Sequence, residues 1–397
     1  MTPALCNMPA YQSFPLDMAG VCLDSPNTAA DCRVIAVVLP QFHPIPENNA
    51  WWRPGFTEWH NVTKATPQFP GHYQPHLPDE LGFYDLRLPE ARAAQAELAS
   101  EYGIKGFCYY HYWFNGHRLL ERPVDEILKS GEPDFPFNLC WANENWSRAW
   151  NGGNREILAE QHYSATDDEN HIRHLLPFFA DRRYIRIEGK PLFIVYRAAH
   201  LPEPQRTFDI WRKIAQQEGV GDLMLAQFEW DGHTNRHDPR AIGLDLSIEF
   251  APDWRNLGGR YHSTWKSKLA MAMGMLHKGY AKHRVVDYHL MQEKMRAKPA
   301  PDYPFLRCVT PGFDNTARRP TEATIVLNSS PEKYEDWLFD MLEWTRIHQS
   351  STRQMVFLNA WNEWAEGNHL EPDLRYGRAF LEATRSALRR ANWFDPL

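Results

Sequence analysis

Glu363 and Glu366 stand three positions apart in Ala360-Trp-Asn-Glu-Trp-Ala-Glu-Gly367, directly after the apolar run Met355–Leu358. Where a chain turns helically, that spacing puts two side chains on one face, with Cβ atoms about 5–6 Å apart. In an extended strand they would point to opposite faces. Two like charges held that close in a partly dry setting repel, so one carboxyl should rise in pKa and act as the acid, its neighbour as the base. Trp361 and Trp364 flank the pair. Aromatic faces stack on sugar rings, and carboxylates exchange protons with hydroxyl and glycosidic oxygens, so the stretch is suited to acid/base work on a sugar.

Other polar and aromatic residues also fall where apolar runs end. They are His43; Tyr109, Tyr110, His111, Tyr112 and Trp113; Asn143, Glu144, Asn145 and Trp146; Glu229, Trp230 and Asp231; Glu249; Asp314 and Asn315; and Asn362 beside the acid pair and Trp364. From this set His43, Tyr110, His111, Trp113, Asn143, Glu144, Trp146, Glu229, Trp230, Glu249, Asn362 and Trp364 are expected to bind substrate. Each also has a plainer role open to it: a strand-end Glu can anchor a loop, and His43 can bond a carbonyl. Indoles, phenols, amides and carboxylates together suit a neutral, hydroxyl-rich ligand better than a phosphate, which calls for Gly-rich backbone and Lys or Arg. No metal and no cofactor are expected. Glu366, His369 and Glu371 lie close in sequence but lack an HExxH or paired-His spacing, and no G-x-S-x-G elbow occurs.

The runs preceding these residues predict eight strands: 33–39, 106–114, 137–142, 191–197, 223–228, 244–250, 305–310 and 355–361. Helical spacing predicts helices over 88–101, 119–129, 167–180, 205–217, 331–349 and 376–389. Strands alternating with helices imply a parallel sheet. Polar residues at nearly every strand's C-terminal end, and no Gly-rich turn after the first strand, favour a (β/α)8 (TIM) barrel over an open doubly wound sheet. About 45 residues separate the first strand from its helix, a βα loop long enough to be functional. Residues 263–300, rich in Lys and Arg, predict a basic helical insertion between strands six and seven, with Trp265, Leu269, Met273 and Leu276 on one side. Residues 1–32 lack periodicity and predict an N-terminal arm before a single barrel over 33–397.

Composition bounds the rest. The 397 residues include 16 Trp and 16 Tyr, more aromatics than a core requires, which points to a carbohydrate-facing surface. The net charge of −7 and the lack of a basic stripe argue against nucleic acid as a partner. No apolar run suits a membrane span, the start lacks a basic n-region, and the six cysteines show no CxxC spacing. A cytoplasmic protein is expected, with peripheral membrane contact through the basic insertion.

Several motifs carry a resemblance. Leu39-Pro-Gln-Phe-His-Pro-Ile-Pro-Glu-Asn48, Gly55-Phe-Thr-Glu-Trp59, Gly71-His-Tyr-Gln-Pro-His76, Gly106–Phe114, Cys140-Trp-Ala-Asn-Glu-Asn-Trp146 and Asn359–Gly367 resemble WbsX-type proteins of bacterial surface-polysaccharide gene clusters, related to family 99 glycoside hydrolases. The resemblance runs from about residue 33 to 390 and implies a (β/α)8 barrel. Family 99 enzymes cleave internal α-mannosidic linkages. Carried over, Glu363 would be the base toward the sugar's own 2-hydroxyl, giving an anhydro-sugar intermediate and net retention, and Glu366 the general acid/base. Ala365 departs from the pattern, since the hydrolases usually carry His there, and WbsX-type proteins are commonly labelled glycosyltransferases. The expectation is therefore a carbohydrate-active enzyme that cleaves or transfers a glycosidic bond, α-mannoside-like, in surface polysaccharide or O-antigen metabolism. The alternatives are a lipopolysaccharide glycosyltransferase using a nucleotide- or lipid-linked donor, and a non-catalytic glycan-binding protein.

Overall fold

The structure is a computed structural model that describes residues 33–148, 156–229 and 237–394. The expected arm at 1–32, and Trp230 and Asp231, lie outside the described residues. Eight strands form the centre: β1 (Arg33–Val38), β2 (Ile104–Phe114), β3 (Phe137–Trp141), β4 (Lys190–Val195), β5 (Met224–Glu229), β6 (Leu246–Glu249), β7 (Phe305–Val309) and β8 (Met355–Leu358). Each pairs in parallel with the next, and β8 closes on β1 from Arg33↔Met355 to Ala36↔Leu358. The barrel is closed. Its strands are buried on both faces, so they read as unbroken apolar runs such as Val34–Val38 rather than as alternating ones.

Helices α1 (Pro89–Glu101), α2 (Arg122–Ser130), α3 (Ala165–Ala180), α4 (Pro204–Gln217), α5 (Tyr288–Arg296), α6 (Pro331–His348) and α7 (Ala379–Arg390) lie between or after the strands. Between β5 and β6 the described residues hold only a 3-10 turn, Pro239–Ile242.

Two sequence expectations change. The helix expected over 119–129 begins at Arg122, because His117–Leu119 folds back as a strand against the end of β2. Asn115 (φ 49°) and Gly116 (φ 85°) make the reversal, a two-residue hairpin that needs positive φ at both positions. The segment 263–300 is also not wholly helical. It holds a helix at Trp265–Ala272, a short turn at Gly279–Lys282, a strand at Arg284–Asp287, and then α5. That strand pairs in parallel with Thr324–Leu327, from the far side of β7. A four-residue pairing across the intervening β7 leaves little trace in local periodicity.

The tryptophans also divide differently from the composition argument. Trp141, Trp211, Trp337, Trp361 and Trp364 are fully buried. Much of the aromatic excess therefore builds the core.

Candidate active site

The 3-10 turn Trp364–Glu366 follows a two-residue strand, Asn362–Glu363, that pairs with Asn368–His369. Gly367 closes the turn at φ 53°, where a side chain would also press on the Asp314 Cβ at 3.0 Å. Glu363 ends the strand and caps the turn while Glu366 ends that turn, so a single 3-10 turn, rather than a helix through both acids, brings the carboxylates to one side. Glu363 and Glu366 face a cavity of about 190 Å³ at the C-terminal end of the barrel.

Arg318 holds the pair. Its Nη2 donates to Glu363 Oε2 at 3.0 Å, its Nη1 to Glu366 Oε1 at 2.7 Å, and its Nε to Glu58 Oε1 at 2.8 Å. Glu58 in turn accepts from Gln41 Nε2 at 2.9 Å and Asn61 Nδ2 at 3.2 Å. Three carboxylates thus share one guanidinium. Burial works against the arginine's charge, but Glu58, Glu366 and Glu363 together hold it protonated. Burial is also the largest influence on the acids. It pushes Glu363 up to about 8, with Glu366 and Glu58 adding to the rise and Arg318 opposing it. Glu366 is raised as well, by burial first and then by Glu58, again against Arg318.

The wall opposite is aromatic. Tyr110, Tyr112, Trp146 and Tyr196 line the cavity with Trp52 and Phe250. Trp146 stacks on Tyr112 with ring centres 5.1 Å apart, and Trp51 braces it edge-on at 5.7 Å. Burial raises all three tyrosines far above their ordinary range, so they remain neutral hydroxyls. Asn359 donates Nδ2 to Ala251 O at 2.7 Å, and its Oδ1, which has no partner among the described residues, belongs to a residue on the cavity wall. Glu144 lines the cavity and pairs with Arg197 at 3.0 Å.

Of the residues expected to bind substrate, Tyr110, Glu144 and Trp146 reach this cavity with the two acids, and the other described ones do not. The period-two alternation of β2 explains two of these. Tyr110 and Tyr112 point inward, while His111 and Trp113 point out to α3, bonding His171 at 2.9 Å and Asp167 at 2.9 Å. Asn143 and Asn362 serve the barrel. Asn143 accepts from Arg197 N at 2.8 Å and donates to Arg197 O at 2.9 Å; Asn362 does the same with Leu39, at 2.7 and 3.1 Å. Each amide extends the backbone ladder by one rung where its strand ends. His43 bonds Pro40 O at 3.0 Å, and burial lowers it to about 4. Glu249 is fully buried between Lys298 at 2.9 Å and Arg307 at 3.2 Å. Glu229 accepts from Tyr303 at 2.5 Å. Trp364 is buried and donates its indole N–H to Glu371 at 2.6 Å, so it carries the turn from below.

Sequence reasoning passed over Arg318, Gln41, Tyr196, Phe250 and Asn359. A signal for Arg318 existed. Asp314, noted at the end of β7, accepts from Thr316 N and caps the 3-10 turn Asn315–Ala317, which aims the next side chain back over the bowl.

A (β/α)8 barrel that gathers paired carboxylates, Tyr and Trp at the C-terminal ends of its strands holds them where barrel enzymes carry their active sites. The family model described as Glycosyltransferase WbsX matches residues 34–384, and the chain belongs to that family. It is 44% identical over 358 residues to proteins titled "Uncharacterized protein WxcX" from two strains of Xanthomonas campestris pv. campestris. The match covers 90% of this chain and 50% of those proteins, so the chain spans about half their length. Among solved structures it is similar to a GH99 endo-alpha-mannosidase from Bacteroides thetaiotaomicron, with a TM-score of 0.53 and 16% identity over 91% of this chain and 98% of that one. A structure titled "Glycoside hydrolase-like protein" aligns at a TM-score of 0.54 and 13% identity, over 93% and 97% of the two chains. At these identities the likeness is one of fold.

Proposed function

We propose that this chain cleaves or transfers a glycosidic bond, α-mannoside-like, in bacterial surface polysaccharide or O-antigen metabolism, with Glu363 and Glu366 as its catalytic pair. The observation that carries the reading is the Arg318 clamp, which sets both carboxylates on one guanidinium against a wall of phenols and indoles. The mechanism follows the family resemblance, which gives the base to Glu363 although its carboxyl is the one pushed up to about 8, the reverse of the split expected from repulsion alone; Glu363 therefore works as base in its ionised form. Glu363 takes the proton of the sugar's 2-hydroxyl as that oxygen bonds the anomeric carbon, and Glu366 protonates the departing glycosidic oxygen. Water or an acceptor hydroxyl then opens the anhydro ring, giving its proton to Glu366 while Glu363 returns its own to the 2-oxygen. Tyr110, Tyr112, Tyr196 and Asn359 bind hydroxyls, Trp146 stacks on a ring, and Glu144 completes the rim. The test is incubation with α-mannosidic oligosaccharides and bacterial surface polysaccharide, followed by mass spectrometry. Shortened or regrafted chains support the proposal; unchanged substrate with tight binding would identify a glycan-binding protein instead.

A second reading is transfer from a nucleotide- or lipid-linked donor, and one observation favours the lipid-linked form. Trp265 is 70% exposed and Met275 69%, with Leu269 and Met273 also exposed beside Lys266, Lys268, Lys278 and Lys282. Residues 263–283 contain no acid. Apolar side chains within a basic field suit an anionic membrane surface at which a lipid-linked glycan would be met. Tyr280 stacks on Phe69 at 4.3 Å, fixing this patch to the long β1 loop. No helix among the described residues is long and apolar enough to cross a membrane.

A further inference from the structure

Behind the acid-bearing turn lies a second cavity of about 160 Å³, lined in part by Tyr73, His76, Asp314, His369 and Asp373. Its residues take no part in the chemistry above. We propose that His76, His369 and Asp373 bind a divalent transition-metal cation of the zinc type.

The geometry carries the proposal. One ligand atom from each residue lies within 4.8 Å of the others. His76 Nδ1 and His369 Nε2 are 2.9 Å apart, and His369 Nε2 lies 3.9 Å from Asp373 Oδ2. An ion roughly 2.0–2.2 Å from each ligand needs ligands spaced by roughly 3–4 Å, so both spacings fit. The tautomer fits too. His369 Nδ1 is 2.9 Å from the carbonyl of Glu371, which can only accept, so Nδ1 carries the proton and the Nε2 lone pair faces the cluster. A ligating histidine is usually set in this way by its second nitrogen.

The other ligands are braced from outside. His369 stacks on Trp364 with ring centres 3.8 Å apart and planes 14° from parallel. Asp373 Oδ1 accepts from Arg375 N at 3.1 Å and Tyr376 N at 2.6 Å, while Tyr73 donates to Oδ2 at 3.0 Å. Two imidazoles and one carboxylate form the donor set that intermediate first-row ions prefer, and three protein ligands leave a position open toward the cavity. His369 and Asp373 lie four positions apart, but His76 is 293 residues from His369, so no complete local motif marks the set. His369 pairs in register with Asn362 across the hairpin whose other strand ends at Glu363. An ion here would tie that hairpin to the long β1 loop and the 373 turn, making His76, His369 and Asp373 positioning residues for the acid pair.

The test uses the full chain without an affinity tag, stripped with a chelator, dialysed and titrated with Zn²⁺ alone. The expected result is one ion bound per chain by elemental analysis and a melting temperature that rises with Zn²⁺, with Co²⁺ giving a visible d–d band. His76→Ala and Asp373→Asn should each weaken binding by more than about tenfold. Asp373→Asn keeps the Oδ1 acceptor for the turn, so it separates lost ligation from lost folding. A chain that takes up no stoichiometric Zn²⁺, or variants that bind as wild type does, would overturn the proposal and leave a His–His hydrogen bond. None of these readouts needs turnover, so the outcome is independent of the proposed reaction.

Discussion

Arg318 meets Glu366 at 2.7 Å from 48 residues away in sequence, and the same guanidinium reaches Glu363 at 3.0 Å. The two acids are therefore held in place by a group from the loop after β7, not by their own turn alone.

Removing that group should be costly. Arg318→Met would leave Glu58, Glu363 and Glu366 facing one another without a cation, and breaking a buried ion pair costs about 3–5 kcal/mol. The melting temperature should fall sharply, and the carboxyl pKa values should rise further. Arg318→Lys keeps the charge but not the three-way fork, so it should recover part of the stability and little of the activity. Calorimetry of the two variants beside wild type checks this.

Glu363 sets a pH signature. A base must be ionised, so with its carboxyl pushed up to about 8 the rate constant kcat/KM of the free enzyme should climb with pH and level off above that value. A fall through the same pH would instead make Glu363 the proton donor. Stability runs the other way. Between about 4.3, the unfolded value, and about 8 the folded state holds a proton that the unfolded state has lost, so stability present at low pH is lost as pH rises. Glu363→Gln removes that dependence. Its melting temperature relative to wild type should increase with pH across this window, and thermal unfolding at several pH values measures it.

Glu371 should matter to stability without touching substrate. It accepts from Trp364 at 2.6 Å, Gln95 at 2.6 Å and Tyr84 at 2.8 Å, all buried, and burial pushes its carboxyl up to about 7. Glu371→Leu strands three donors, each costing about 1–3 kcal/mol. Chemical denaturation should show a loss of at least about 3 kcal/mol, larger than that of any single cavity-wall tyrosine changed to Phe.

The basic patch makes a separate prediction. Wild type should co-sediment with vesicles containing anionic lipid, less so at high salt, and not with neutral ones. Trp265→Ala with Met275→Ala should abolish the binding while turnover of free oligosaccharide persists. No recovery on anionic vesicles would remove the membrane surface as a partner, and equal recovery on neutral ones would remove the role of the lysines.

The barrel was legible because its strands are buried on both faces and so stand out as apolar runs, Val34–Val38 and Met355–Leu358 among them. Glu363 and Glu366 were legible because a short local spacing fixes their relation. What stayed hidden depends on partners far along the chain. Asn143 and Asn362 look like hydroxyl binders until Arg197 and Leu39 are seen to occupy them, and His111 differs from Tyr110 only in the face of β2 it takes. The Asp314 cap marks the turn before Arg318, but nothing near it in sequence names the three carboxylates it meets at Glu58, Glu363 and Glu366. The hairpin at Asn115-Gly116 is a different case: its turn residues fall between the predicted strand 106–114 and helix 119–129, but the three-residue return strand His117–Leu119 is too short to show a period of its own.

The central claim is that Glu363 and Glu366 perform the reaction, and product formation by Glu363→Gln and Glu366→Gln beside wild type tests it most directly. Mass spectrometry of the same glycan, with near-ultraviolet circular dichroism confirming native tryptophan packing in each variant, should show turnover in wild type alone. Turnover surviving in both folded variants would contradict the account.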